Sequence, residues 1–156
     1  MAFATERDLE SHLRQLIATR ITANHPNIYT LNNKKAVDIV ICRDGDRAAA
    51  FFIEVKLYKP AHGRLGIGTG TGGGYQPEII VCNPDYFEAH LRWVIVDGGK
   101  AAPWYLFIPT SILKLHLAGG KVGDKQNNIN VSSLFNNVPA LDESSLVVEM
   151  EKWLMQ

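Results

Sequence analysis

Two apolar runs joined by a short charged turn constrain this chain more than any other feature. They are "VDIVIC" (37–42) and "AAAFFIEVKLY" (48–58), with "RDGDR" (43–47) between them. An Asp-Gly pair between hydrophobic runs signals a hairpin, so two antiparallel arms are predicted, Val37 to Cys42 and Ala49 to Tyr58. Neither arm alternates cleanly between apolar and polar residues. Near-continuous apolar strands are covered on both faces, which puts the hairpin in the middle of a sheet flanked by helices.

Three charged side chains stand inside this apolar setting: Asp38 on the first arm, Glu54 and Lys56 on the second. Glu54 and Lys56 share a face, about 7 Å apart along the strand. Whether Asp38 joins them depends on turn parity. A two-residue turn Gly45–Asp46 sets Asp38 opposite Ile53 and sends the carboxylates to opposite faces. A three-residue turn Gly45–Asp46–Arg47 sets Asp38 opposite Glu54, on the same face. Convergence therefore needs an odd-length turn or a bulge. With it, Asp38 and Glu54 form a site for Mg²⁺, which takes one or two carboxylates and completes its shell with water and phosphate oxygens. Lys56 is then placed to orient or deprotonate a water and to offset charge on a phosphorane.

The segment "TERDLESHLRQLIATRI" (5–21) predicts a helix capped by Thr5, with Asp8 and Glu10 at the positive end of its dipole. Leu9, Leu13, Leu16 and Ile17 form one apolar stripe. Glu6 falls near that stripe, one turn before Leu9, and Glu10 lies at its edge. After the hairpin, glycines at 63, 66, 68, 70, 72, 73 and 74 predict a loop. "EIIVC" (78–82) reads as a strand and 84–91 as a short helix or turn. "RWVIVD" and "WYLFIP" read as a second hairpin and "TSILKLHLA" as a short helix. The Asn- and Ser-rich stretch 123–141 reads as an irregular connection, and "DESSLVVEMEKWLM" as an amphipathic closing helix capped by Asp142 or Ser144. The fold class is mixed α/β (α+β), one domain over 1–156 with a core at about 5–110 and a helical extension at 111–156.

The chain has 156 residues, 46% apolar and 21% charged, enough for one well-packed soluble domain. No apolar run reaches the span of a bilayer, and the start lacks the pattern of a secretory leader. Cys42 and Cys82 read as buried thiols of a reducing compartment, so the expected location is the cytoplasm. Sixteen basic and sixteen acidic residues balance, which argues against coating nucleic acid by charge alone. The charges are uneven, +3 over 1–64 and −3 over 65–156, leaving room for a local basic surface near "KLYKPAHGR". The glycine-rich run lacks the G-K-[ST] ending of a phosphate loop, no serine has a G-x-S-x-G context, and the five histidines show no metal-ligand spacing.

Asp38, then Glu54-Val55-Lys56 on the next strand, behind a helix carrying Glu6, resembles the PD-(D/E)XK nuclease superfamily. "ERDLESHL" also resembles the first-helix motif of archaeal Holliday-junction resolvases within it. The resemblance covers about residues 5–82. It departs in having Val37 where a proline is common and a glycine-rich loop where a helix usually follows the E-x-K strand.

The resemblance implies a restriction-endonuclease-like αβββαβ core around a mixed central sheet. It also implies a metal-dependent endonuclease that hydrolyses DNA phosphodiester bonds, of restriction, repair or junction-resolving type. Asp38, Glu54, Lys56 and Glu6 would be catalytic. Asp38, Glu54 and Glu6 would hold Mg²⁺, with Mn²⁺ able to substitute and Glu10 as the alternative helix glutamate. Lys59, Arg64 and Gln76 are the expected DNA contacts. A homodimer would supply a second active site, and the Leu146, Val147, Met150, Trp153 and Leu154 stripe is either its interface or part of the core. The alternative is a catalytically idle protein of the same fold that binds nucleic acid or a protein partner.

Overall fold

A computed structural model describes residues 3–31, 37–63, 65–67, 84–118 and 127–156. The first helix, α1 (Glu6–Leu16), begins as expected. The Thr5 hydroxyl accepts from the Asp8 amide at 3.1 Å, and the Asp8 carboxylate accepts from the Thr5 amide at 2.9 Å. Leu9, Leu13 and Leu16 are buried, and the helix widens into a π-helical segment, Ile17–Thr22, that buries Ile17 and Ile21.

Five strands make the main sheet: β1 (Ile28–Leu31), β2 (Ile39–Arg43), β3 (Ala49–Tyr58), β5 (Leu91–Asp97) and β6 (Tyr105–Ile108). They stand in the order β1-β2-β3-β5-β6. Pairing is antiparallel except between β3 and β5, which run parallel, so the sheet is mixed. The return from β3 to β5 includes α2 (Pro84–His90), the helical crossover that a parallel pair requires. A second, two-stranded sheet pairs β4 (Leu65–Ile67) with β7 (Asn127–Ile129). Three further helices complete the described chain: α3 (Thr110–Lys114), α4 (Val131–Asn137) and α5 (Glu143–Leu154).

The central strand is covered on both faces, as its apolar run predicts. Phe51, Ile53, Val55 and Leu57 enter one core with Leu9 and Leu13 of α1 and Leu146, Met150 and Trp153 of α5. Phe52 and Tyr58 turn to the other face, against a core of Leu91, Trp93, Ile95, Leu106, Leu113 and Leu134. Trp93 donates to the Thr110 hydroxyl at 2.9 Å and Trp153 to the Ala89 carbonyl at 2.8 Å, so each indole keeps its polar end satisfied.

One open alternative is resolved and one expectation changes. The apolar stripe of α5 packs inside this chain: Leu146, Val147, Met150, Trp153 and Leu154 are all buried, which leaves none of it as a dimer face. The stretch 123–141 is not wholly irregular, for it holds all of β7 and all of α4. Asn130 caps α4 by accepting from the Ser133 amide at 3.0 Å, and Leu134 inserts into the second core. Asn and Ser are loop-formers by composition, but they also begin helices. β1 carries no charge pattern to announce it and is recruited by pairing with β2. The expected strand 78–82, Cys82 and most of the glycine-rich run lie outside the described residues.

The parallel pair ends in a tight contact. The Gly98 amide donates to the Tyr58 carbonyl at 2.8 Å, and a Cβ at Gly98 would meet that same oxygen at 2.8 Å. Gly98→Ala therefore forces the segments after β3 and β5 apart. It is expected to lower stability by about 1–3 kcal/mol, read as a reduced urea midpoint with unchanged slope.

Candidate active site

The hairpin turn sets the site. Residues 44–48 form a five-residue loop between the last ladder pair, Arg43 and Ala49. Gly45 takes φ +103°, a conformation that favours glycine. The Asp44 amide donates to the Asn27 carbonyl at 2.8 Å, and Tyr29 donates to the Asp44 carboxylate at 2.9 Å, so β1 braces the loop. The loop is odd in length. Its register runs from Arg43–Ala49 back to Ile39–Ile53, and one step further sets Asp38 across from Glu54. The parity that convergence requires is the parity the chain adopts.

Asp38 lies just ahead of β2, where the chain bends. β3 runs on past that point to Tyr58, paired with β5 on one side only. On its other edge, carboxylates take the place of a strand. Asp38 Oδ2 accepts from the Val55 amide at 2.7 Å, and Glu6 Oε1 accepts from the Leu57 amide at 3.2 Å. Glu6 thus reaches the site, whereas Glu10, one turn on, accepts from Arg14 Nε at 3.0 Å. Of the two candidate helix glutamates, Glu6 is the one at β3.

Glu54 is fully buried, and no hydrogen-bond donor of another described residue reaches either of its carboxylate oxygens. The only other buried side-chain atom in that condition there is the Tyr105 hydroxyl, whose residue belongs to the opposite core. Its pKa is pushed up to about 12, chiefly by burial. For Glu54, burial drives the pKa well above the usual carboxylate range. The Asp38 charge pushes the same way, Lys56 pulls against them, and a hydrogen bond that the protonated acid shares with Asp38, then the Glu6 charge, add smaller upward pushes. Lys56 is half-buried, two residues along the same strand face.

An orphaned acid beside a second acid is costly unless a positive charge joins them. The pair Asp38 and Glu54 therefore fits a divalent cation that keeps water or phosphate on its remaining positions. Among the described residues, no three His, Cys, Asp or Glu side chains stand close enough to form a metal cage by themselves. Glu6 thus does not close a three-carboxylate cluster with Asp38 and Glu54; it stands at the Leu57 amide.

Of the expected DNA contacts, Lys59 is half-buried and opens the 3₁₀ turn Pro60–His62, while Arg64 and Gln76 lie outside the described residues. Arg14 is a site neighbour that sequence reasoning did not single out. Its Nη2 donates to the Asp38 carbonyl at 2.7 Å. Its position four residues after Glu10 suggests only an ordinary helix ion pair.

No family model matches this chain, and no curated protein or solved structure matches it either. Among the described residues no helix is long and apolar enough to cross a membrane.

Proposed function

We propose that this chain is a Mg²⁺-dependent endonuclease that hydrolyses DNA phosphodiester bonds, of the PD-(D/E)XK kind. One observation carries the reading: a fully buried glutamate that no donor of another described residue reaches, across the register from Asp38 and two residues from Lys56 on its own strand face. The order of elements supports it. The described chain runs through a helix, three antiparallel strands, a crossover that includes a helix, and a strand parallel to the third, the order in which an αβββαβ core would be built.

In this reading Asp38 and Glu54 hold the cation. The chemistry that a bound Mg²⁺ supplies is polarisation of the phosphodiester and a lowered pKa for water. Lys56 Nζ orients the attacking water and offsets the charge that grows on the phosphate oxygens as the new P–O bond forms and the bond to the leaving oxygen breaks. Glu6 holds the free edge of β3 through the Leu57 amide. Lys59, just past the end of the same strand, would contact the DNA backbone, with Arg64 and Gln76 following it in sequence. One chain supplies one active site, so cutting both strands requires a second copy.

The purified chain is expected to convert supercoiled plasmid to nicked circles with Mg²⁺, to accept Mn²⁺ in its place, and to stop when EDTA is added. No cutting with either ion removes the proposal. Retention of DNA without cutting would leave the idle nucleic-acid binder of the same fold.

A further inference from the structure

We propose that Arg14 is a positioning residue that sets Asp38 for the cation, and that Glu10 holds Arg14 in place. The inference rests on the reading of Asp38 and Glu54 as cation ligands. Asp38 stands outside β2, at a bend, so no strand ladder fixes it. Two contacts do. Its carboxylate is held by the Val55 amide at 2.7 Å and its carbonyl by Arg14 Nη2 at 2.7 Å. Arg14 is itself held by Glu10 Oε1 at 3.0 Å, with both side chains largely covered, at 24% and 30% exposure.

The planar guanidinium suits this task. Among the described residues it serves both Glu10 and the Asp38 carbonyl in fixed directions, which an ammonium cannot do with the same geometry. Taking the carbonyl of Asp38 leaves the carboxylate charge available to a cation. Glu6 and Arg14 lie eight residues apart on α1, about 12 Å along its axis, and both reach the site, Glu6 at the Leu57 amide and Arg14 at Asp38. The helix between them is anchored by Leu9 and Leu13 in the core. Asp38 is thereby referenced to a rigid element, the condition for holding a ligand within a fraction of an ångström.

Arg14→Met, which keeps the aliphatic stem and removes every donor, tests this. EDTA-stripped protein is titrated with Mg²⁺ and followed by calorimetry and by the shift in Tm. The expected result is Mg²⁺ affinity about 10- to 100-fold weaker, with a metal-free Tm close to wild type and cleavage largely recovered at saturating Mg²⁺. Arg14→Lys, with a single donor for the carbonyl, should recover part of the affinity, and Glu10→Gln should weaken it less than Arg14→Met. Unchanged Mg²⁺ affinity in Arg14→Met overturns the inference. So does an equal loss in the Met and Lys variants that tracks a lower metal-free Tm, since that marks a merely structural role. If wild type binds no Mg²⁺, this inference and the nuclease reading fall together. If the affinities shift as expected while wild type cuts no DNA, the positioning role stands and the nuclease reading alone is lost.

Discussion

Glu54→Gln is expected to make the metal-free protein more stable at neutral pH and, at the same time, to cut Mg²⁺-dependent cleavage about 10²-fold or more. The gain in stability follows from burial. Glu54 is fully enclosed and its pKa is raised well above the usual range, mainly by desolvation and then by the Asp38 charge. Between the ordinary glutamate pKa and that raised value, the folded chain keeps a proton that the unfolded chain has released. Stability contributed by this site is therefore complete below the ordinary glutamate pKa and is lost as pH rises toward the folded value. Glutamine carries no such charge. The difference in urea midpoint between variant and wild type in EDTA should be smallest near pH 4 and should grow with pH in favour of the variant. Mg²⁺ is expected to reverse the ranking, because in the proposed reading it would bind the ionised wild type, expel the proton and stabilise the folded state. The loss of cleavage reflects several kcal/mol of metal-borne charge stabilisation, each 1.36 kcal/mol being tenfold in rate. A wild type that gains on the variant as pH rises in EDTA would rule out this account of Glu54.

The second large effect separates Asp38 from Lys56. Asp38→Ala removes the acceptor for the Val55 amide and, in the proposed reading, a cation ligand. Both Mg²⁺ affinity and cleavage should fall, and raising Mg²⁺ should recover some of the rate. Lys56→Met should lower the cleavage rate about 10²- to 10⁴-fold, the range for a positioned proton-transfer or charge-stabilising group. Extra Mg²⁺ should not restore it. Its removal also takes away the one influence that lowers the Glu54 pKa. The onset of Mg²⁺ binding should therefore move to higher pH. Plasmid nicking across a Mg²⁺ series, alongside calorimetric titration, distinguishes the two. Full recovery of Lys56→Met at high Mg²⁺ would assign Lys56 to the metal shell and not to the reaction.

The stability gain predicted for Glu54→Gln and the rate lost with it share one cause. In the proposed reading a group that costs the fold stability is kept for the cation it would bind, as happens when binding is selected over stability. Gly98 shows the contrasting case: its replacement harms the fold through backbone contact with Tyr58, with no group of the site involved.

Local periodicity and turn arithmetic were enough to determine α1 with its buried leucines, the burial of β3 on both faces, and the condition under which Asp38 meets Glu54. Each depends on residues near one another along the chain, where backbone geometry leaves few choices. The odd turn itself could be stated as a requirement but not chosen, since its length depends on how Asn27 and Tyr29 grip Asp44 from a third strand. Tertiary structure decided the rest. The rotation of α1 on the sheet selected Glu6 over Glu10 and brought Arg14 to the Asp38 carbonyl, contacts spanning 51 and 24 residues. The parallel pairing of β3 with β5 left one edge of β3 free for carboxylates, and α5 turned its apolar stripe inward. A helical period fixes which residues share a face but not what that face meets. That is settled only when helices and sheet pack together and one arrangement buries the most apolar surface.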